Sequence, residues 1–140
     1  MSPVLPDVGL CAYLLGFSSA EALWSSTVAG ALFETYAIGQ WIRWRDWTCP
    51  AAALWFWQDR SGAEVDLLVE FDGQLFAIEC KLASRPPRGE PRGIAKLRAT
   101  YGDSVARAWV ACTTEEPYQL APGVEARSGW TPWSLAPGGS

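Results

Sequence analysis

The dipeptide Asp72-Gly73, set between Glu64–Phe71 and Gln74–Lys81, constrains this chain more than any other feature. A type I′ turn needs positive φ at both central residues, and Asp-Gly supplies it with little strain. With these two residues as the loop, Phe71 faces Gln74 and the register of the whole hairpin follows. Asp66 is then set opposite Glu79, and Glu64 opposite Lys81. Side chains alternate along a strand. Val65, Leu67, Val69, Phe71, Phe76, Ile78, Cys80 and Leu82 therefore form one apolar face. The other face gathers Glu64, Asp66, Glu79 and Lys81 around Leu68, Leu75 and Ala77.

Two readings of that second face stand. In one it is the solvated side of a half-buried antiparallel sheet, with Glu64 and Lys81 as a surface ion pair. In the other, two carboxylates facing each other across a ladder repel unless a proton or a cation lies between them, and the arrangement is used. The three apolar residues on the same face argue that part of it is covered.

Composition narrows what such a use would be. The 140 residues suit one domain with a real core. No histidine is present, which removes Ser-His-Asp and Cys-His hydrolases and histidine-ligated zinc. Neither a G-x-x-x-x-G-K-[ST] nor a G-x-G-x-x-G phosphate loop occurs. Cys11, Cys49, Cys80 and Cys112 lack C-x-x-C spacing and read as small buried hydrophobes in a reducing compartment. With no apolar run long enough to span a bilayer and no signal-peptide pattern, a cytoplasmic protein is expected. Catalysis, if any, falls to carboxylates, lysine and an oxygen-loving cation. The net charge of −4 lacks the basic excess usual for nucleic-acid binding. A local cluster of Arg85, Arg88, Arg92, Lys96 and Arg98 reads either as a solvated face or as a phosphate contact.

Along the chain, residues 8–16 read as a short helix closed by Gly16, followed by a turn capped by Ser18 or Ser19. Ser25, Ser26 or Thr27 caps a longer helix to about Arg45, with Glu34 at the margin of its apolar stripe. Pro50 breaks the chain, Ala53–Gln58 forms a strand, and Asp59-Arg60-Ser61-Gly62 turns it into the Asp66 strand. A Pro- and Arg-rich loop leads to a helix over Arg92–Tyr101, ended by Gly102. A buried strand over Ala106–Cys112 follows, with a parallel crossover. A last short strand is expected near Val124–Arg127. The order is helix, three-stranded meander, helix, strand: an α/β fold with one sheet and helices against it.

An αβββαβ order with Glu34 in the first helix, Asp66 on the second strand and Glu79-Cys80-Lys81 on the third resembles the PD-(D/E)XK nuclease superfamily. A wider set of segments follows in order: Asp7–Gly16, Gly30–Glu34, Trp57-Gln58-Asp59, Glu64-Val65-Asp66 and Ile78–Lys81. Together they resemble the domain of unknown function at the C-terminus of a large class of prokaryotic AAA-type ATPases. This sequence departs in lacking an ATPase part, and in having Gln58 where that pattern has arginine. The resemblance implies a restriction-endonuclease-like αβββαβ core with a central mixed sheet flanked by helices. On that reading residues 1–140 are one domain, with a helical lead-in at 1–24, the core at 25–127 and a tail at 128–140.

The resemblance further implies that Asp66, Glu79 and the Cys80 carbonyl hold Mg²⁺, for which Mn²⁺ substitutes. Lys81 positions the attacking water, and Glu34 is a further ligand or supporting acid. The implied function is a Mg²⁺-dependent phosphodiesterase acting on DNA. The alternative is a nuclease-like fold without activity, binding nucleic acid or protein or regulating an AAA-type ATPase. Trp41, Trp44 and Trp47 near one helix end read either as core or as a Trp-rich surface for a partner domain or a second copy.

Overall fold

The computed structural model describes residues 28–136 together with Ser2–Pro3; the lead-in helix at 8–16, the capping serines and Cys11 lie outside the described residues. Ser2–Pro3 (β1) pairs with Ala53–Gln58 (β2). The first described helix, α1, spans Ala29–Thr48. Then come Glu64–Phe71 (β3), Gln74–Cys80 (β4), the helix Arg92–Tyr101 (α2), Val105–Cys112 (β5), Tyr118–Ala121 (β6) and Val124–Ser128 (β7). One seven-stranded mixed sheet forms, ordered β1-β2-β3-β4-β5-β7-β6. The meander β2-β3-β4 is antiparallel, whereas β5 lies parallel to both β4 and β7. The crossover through α2 thus places β5 beside β4, as the strand–helix–strand order anticipates.

Local chemistry explains most element ends. Cys49 precedes Pro50 and takes an extended ψ of 69°, because the proline ring disfavours a helical conformation there. Helix α1 therefore runs to Thr48, past the expected end at Arg45, since the proline restricts only the residue before it. Val28 occupies its N-cap position without a side-chain cap. The β2–β3 turn is held by Asp59, whose Oδ1 accepts the Ser61 and Ala63 N–H groups, each at 2.9 Å. Asp72 and Gly73 have φ of 52° and 73°, the type I′ signature, and Phe71 pairs with Gln74. At the end of α2, Gly102 has a φ of 56°, a left-handed value that glycine adopts without the Cβ penalty. The short β6, unforeseen from the sequence, hydrogen-bonds β7 at the sheet edge.

The sheet buries both faces. On one, Leu68, Leu75 and Ala77 pack with Ile94 and Leu97 of α2 and with Val110 and Leu120. On the other, Leu67, Val69, Phe76 and Ile78 pack with Ile38 and Trp41 of α1 and with Trp109 and Trp133. Of the two readings of the hairpin's charged face, the covered one holds for its apolar part, since α2 lies over Leu68, Leu75 and Ala77. Trp41 belongs to the core, with its ring centroid 5.2 Å from Trp44 and 5.1 Å from Trp133, while Trp47 stands 88% exposed. No described helix is long and apolar enough to cross a membrane.

Candidate functional site

The site arises because the hairpin does not stay regular. Its ladder pairs run from Phe71↔Gln74 to Leu67↔Ile78 and go no further. Across β2 and β3, Trp55 pairs with Leu68 but Trp57 with Val65, so Asp66 and Leu67 together oppose Phe56. That is a β-bulge, which kinks a strand and re-aims its side chains. Alternation slips by one there: Val65 packs on the α2 face with Leu68, while Leu67 packs on the α1 face. Two expectations are corrected by this slip. Val65 does not share a face with Leu67, and the ladder extends neither to pair Asp66 with Glu79 nor to set Glu64 opposite Lys81.

Past Leu67 the strands part as a fork. Strand β4 stays with β5, through Glu79↔Val110 and Cys80↔Ala111, and the Lys81 N–H donates to the Ala111 carbonyl at 2.8 Å. Its Cys80 N–H, turned toward β3, donates to Asp66 Oδ2 at 2.8 Å. A side chain thus stands in for a missing ladder partner.

Carboxylates from three elements meet at the fork. Glu34 comes from the second turn of α1, half-buried beside Phe33 and Ala37. Its carboxyl is hydrogen-bonded to Asp66, and its pKa is pushed up to about 7 by burial first and then by the Asp66 and Glu64 charges. Glu79 is raised to about 7 as well, by burial first, then by Asp66 and Glu64, against an opposing pull from Lys81. Asp66 is raised by burial, with the Cys80 N–H and the Glu34 hydrogen bond pulling the other way. Burial disfavours the charged form of each acid, and the acids disfavour one another's ionisation. The structure thus gathers Glu34, Asp66 and Glu79, as the sequence suggests, and adds Glu64, whose charge acts on all three.

Two further residues define the site's α2 side. Gly93 is buried where α2 starts, and a Cβ there would stand 1.8 Å from the Glu64 carbonyl oxygen and 2.8 Å from Glu79 Oε1. Only glycine lets the helix approach this closely. Its signal in the sequence was a glycine inside a helical pattern, which usually has a packing reason. Lys81 is exposed at the mouth. Arg92, by contrast, pins α2 to the β2–β3 turn through a 3.0 Å bond to Ser61 Oγ, and Arg98 is paired with Glu90 at 2.7 Å.

The donor set suits a hard cation. Burial pushes the Cys80 thiol well above its ordinary range, as do the neighbouring acids, so this residue would offer its carbonyl and not a thiolate. Among the described residues no three Asp, Glu, Cys or His side chains form a ready metal cage. An ion here would take two carboxylates, a carbonyl and waters, a mixture Mg²⁺ accepts.

The model of one family, a domain of unknown function (DUF4143), matches residues 29–128, from the start of α1 to the end of β7. No curated protein and no solved structure matches the chain.

Proposed function

The chain belongs to the DUF4143 family, and from that premise we propose that it is a Mg²⁺-dependent phosphodiesterase acting on DNA. The reading includes a restriction-endonuclease-like core and a link to an AAA-type ATPase. One observation carries it: three half-buried carboxylates, Glu34, Asp66 and Glu79, converge at a strand fork with Lys81 beside them. Two of these acids are raised to about 7. A cluster so unfavourable when ionised is relieved by a cation.

Asp66, Glu79 and the Cys80 carbonyl would hold Mg²⁺, which when bound supplies positive charge to a phosphate and lowers the pKa of a water. Lys81, one residue beyond Cys80, orients that water and donates to a phosphate oxygen. Glu34 holds Asp66 in place through their shared hydrogen bond. The Cys80 N–H fixes the Asp66 carboxylate, so the ligand is oriented before any substrate arrives.

The test is calorimetric titration of Mn²⁺ into wild type and Glu79→Gln, paired with a plasmid-nicking assay. Saturable binding lost in Glu79→Gln, and nicking lost in Asp66→Ala, support the reading. Nicking that survives in Asp66→Ala places the activity elsewhere.

A second reading, a nuclease-like fold serving as a binding or regulatory module for an ATPase or as a dimer, is favoured by the net charge of −4. The lack of a ready cage among the described residues also favours it. No Mn²⁺ binding in either protein selects it.

A further inference from the structure

On the α2 side of the fork lies a cleft of about 240 Å³. It opens between Glu79–Lys81, at the end of β4, and the loop Pro86–Pro91, with Val110 and Leu120 behind. The loop is fastened to β6: the Gly89 N–H donates to the Leu120 carbonyl at 2.8 Å and Arg88 Nη1 to the Gln119 carbonyl at 3.1 Å. Tyr118 ties the start of the loop to the same strand, its hydroxyl donating to the Pro86 carbonyl at 2.9 Å. Three prolines and these bonds make the cleft a preformed one. Its charges are also sorted. Lys81 and Arg88 line it as cations; of its two acids, Glu79 belongs to the carboxylate cluster at the fork and Glu90 is ion-paired with Arg98.

We propose that this cleft takes one unpaired nucleotide of the strand whose phosphodiester lies against Asp66, Glu79 and Lys81, which makes the substrate single-stranded DNA or a frayed end. The inference rests on the phosphodiesterase reading above and names the substrate class of that site. A volume below the roughly 300–1,000 Å³ of drug-sized ligand pockets admits a single unit of a polymer and not a base pair. Apolar walls suit the face of an unstacked base, and the two cations, Lys81 and Arg88, suit its phosphates. A paired nucleotide keeps its base inside the duplex, so it enters such a cleft only after unpairing.

The experiment is fluorescence anisotropy of a labelled oligothymidylate in Ca²⁺ buffer, competed by an abasic oligonucleotide and by a duplex of equal length. Wild type is compared with Pro87→Trp, which fills the mouth from an exposed position, and with Arg88→Ala. The single strand is expected to bind at least tenfold tighter than the duplex and the abasic strand, and both variants to lose about tenfold. Equal binding of all three ligands overturns the proposal, as does full affinity in both variants. Hydrolysis of bis(4-nitrophenyl) phosphate with Mn²⁺ separates the two readings, because that diester has no nucleobase. Hydrolysis without strand preference overturns the cleft alone. Strand binding lost in Pro87→Trp, without hydrolysis by wild type, supports the cleft and overturns the phosphodiesterase.

Discussion

The two ends of the β3–β4 hairpin follow different rules. At the closed end Asp72 and Gly73 take the backbone angles their side chains permit, the ladder is regular, and the tip is exposed. Nothing distant is required. At the open end the bulge at Asp66, the loss of pairing past Leu67 and the gathering of acids all run against local preference. Those features persist because α1 and α2 press on them from opposite faces, with Glu34 bonded to Asp66 and Gly93 set against Glu64 and Glu79. A closed end held by local chemistry tolerates change; an open end held by tertiary contacts does not.

The sharpest way to break that contrast is Gly93→Ala. Alanine favours a helix over glycine by about 1 kcal/mol, yet here its Cβ would lie 1.8 Å from the Glu64 carbonyl oxygen. Backbone cannot yield as a flexible side chain would, so α2 must shift. A net loss of roughly 3 kcal/mol or more is expected in urea denaturation. A neutral outcome would mean that α2 does not clamp the fork.

How much of this was legible follows the same division. Pro50, Asp72-Gly73 and Gly102 punctuate the chain by their own backbone chemistry, so β2 and α2 fall where the sequence places them. Glu34, Asp66 and Glu79 were nameable because acids beside apolar stripes stand out. The bulge was not legible. It depends on how β2 pairs with β3, and a one-residue slip in that pairing moves Val65 to the other face. β6 was missed because four residues flanked by Pro117 and Pro122 carry no alternation signal. Gly93 and Glu64 gain meaning only from one another's position in space.

A second prediction sharpens the contrast through pH. Glu34 and Glu79 rise from a usual 4.5 to about 7 in the folded protein. Because the folded values lie above the unfolded ones, their favourable contribution is fully present below about pH 4.5 and is lost as pH rises through 7. Glu34→Gln keeps a donor for Asp66 but carries no charge to lose. In metal-free buffer at pH 8 it should therefore be more stable than wild type by roughly 1–2 kcal/mol, discounted because Glu34 is only half-buried. Near pH 4.5 the difference should vanish. Urea midpoints across that range measure it, and a gain independent of pH would show that the acids do not repel in the folded state.

The smallest effect belongs to the closed end. Gly73→Ala meets no neighbouring atom within 4 Å, so its only cost is a side chain at φ of 73°. A loss of about 1 kcal/mol follows from that backbone strain alone. If the two ends are as separate as their physics suggests, Mn²⁺ affinity measured by calorimetry stays within twofold of wild type despite the lower urea midpoint. A larger drop in affinity would mean that strain at the turn travels the length of the ladder, and the fork would then owe its geometry to the hairpin as a whole as well as to the two helices.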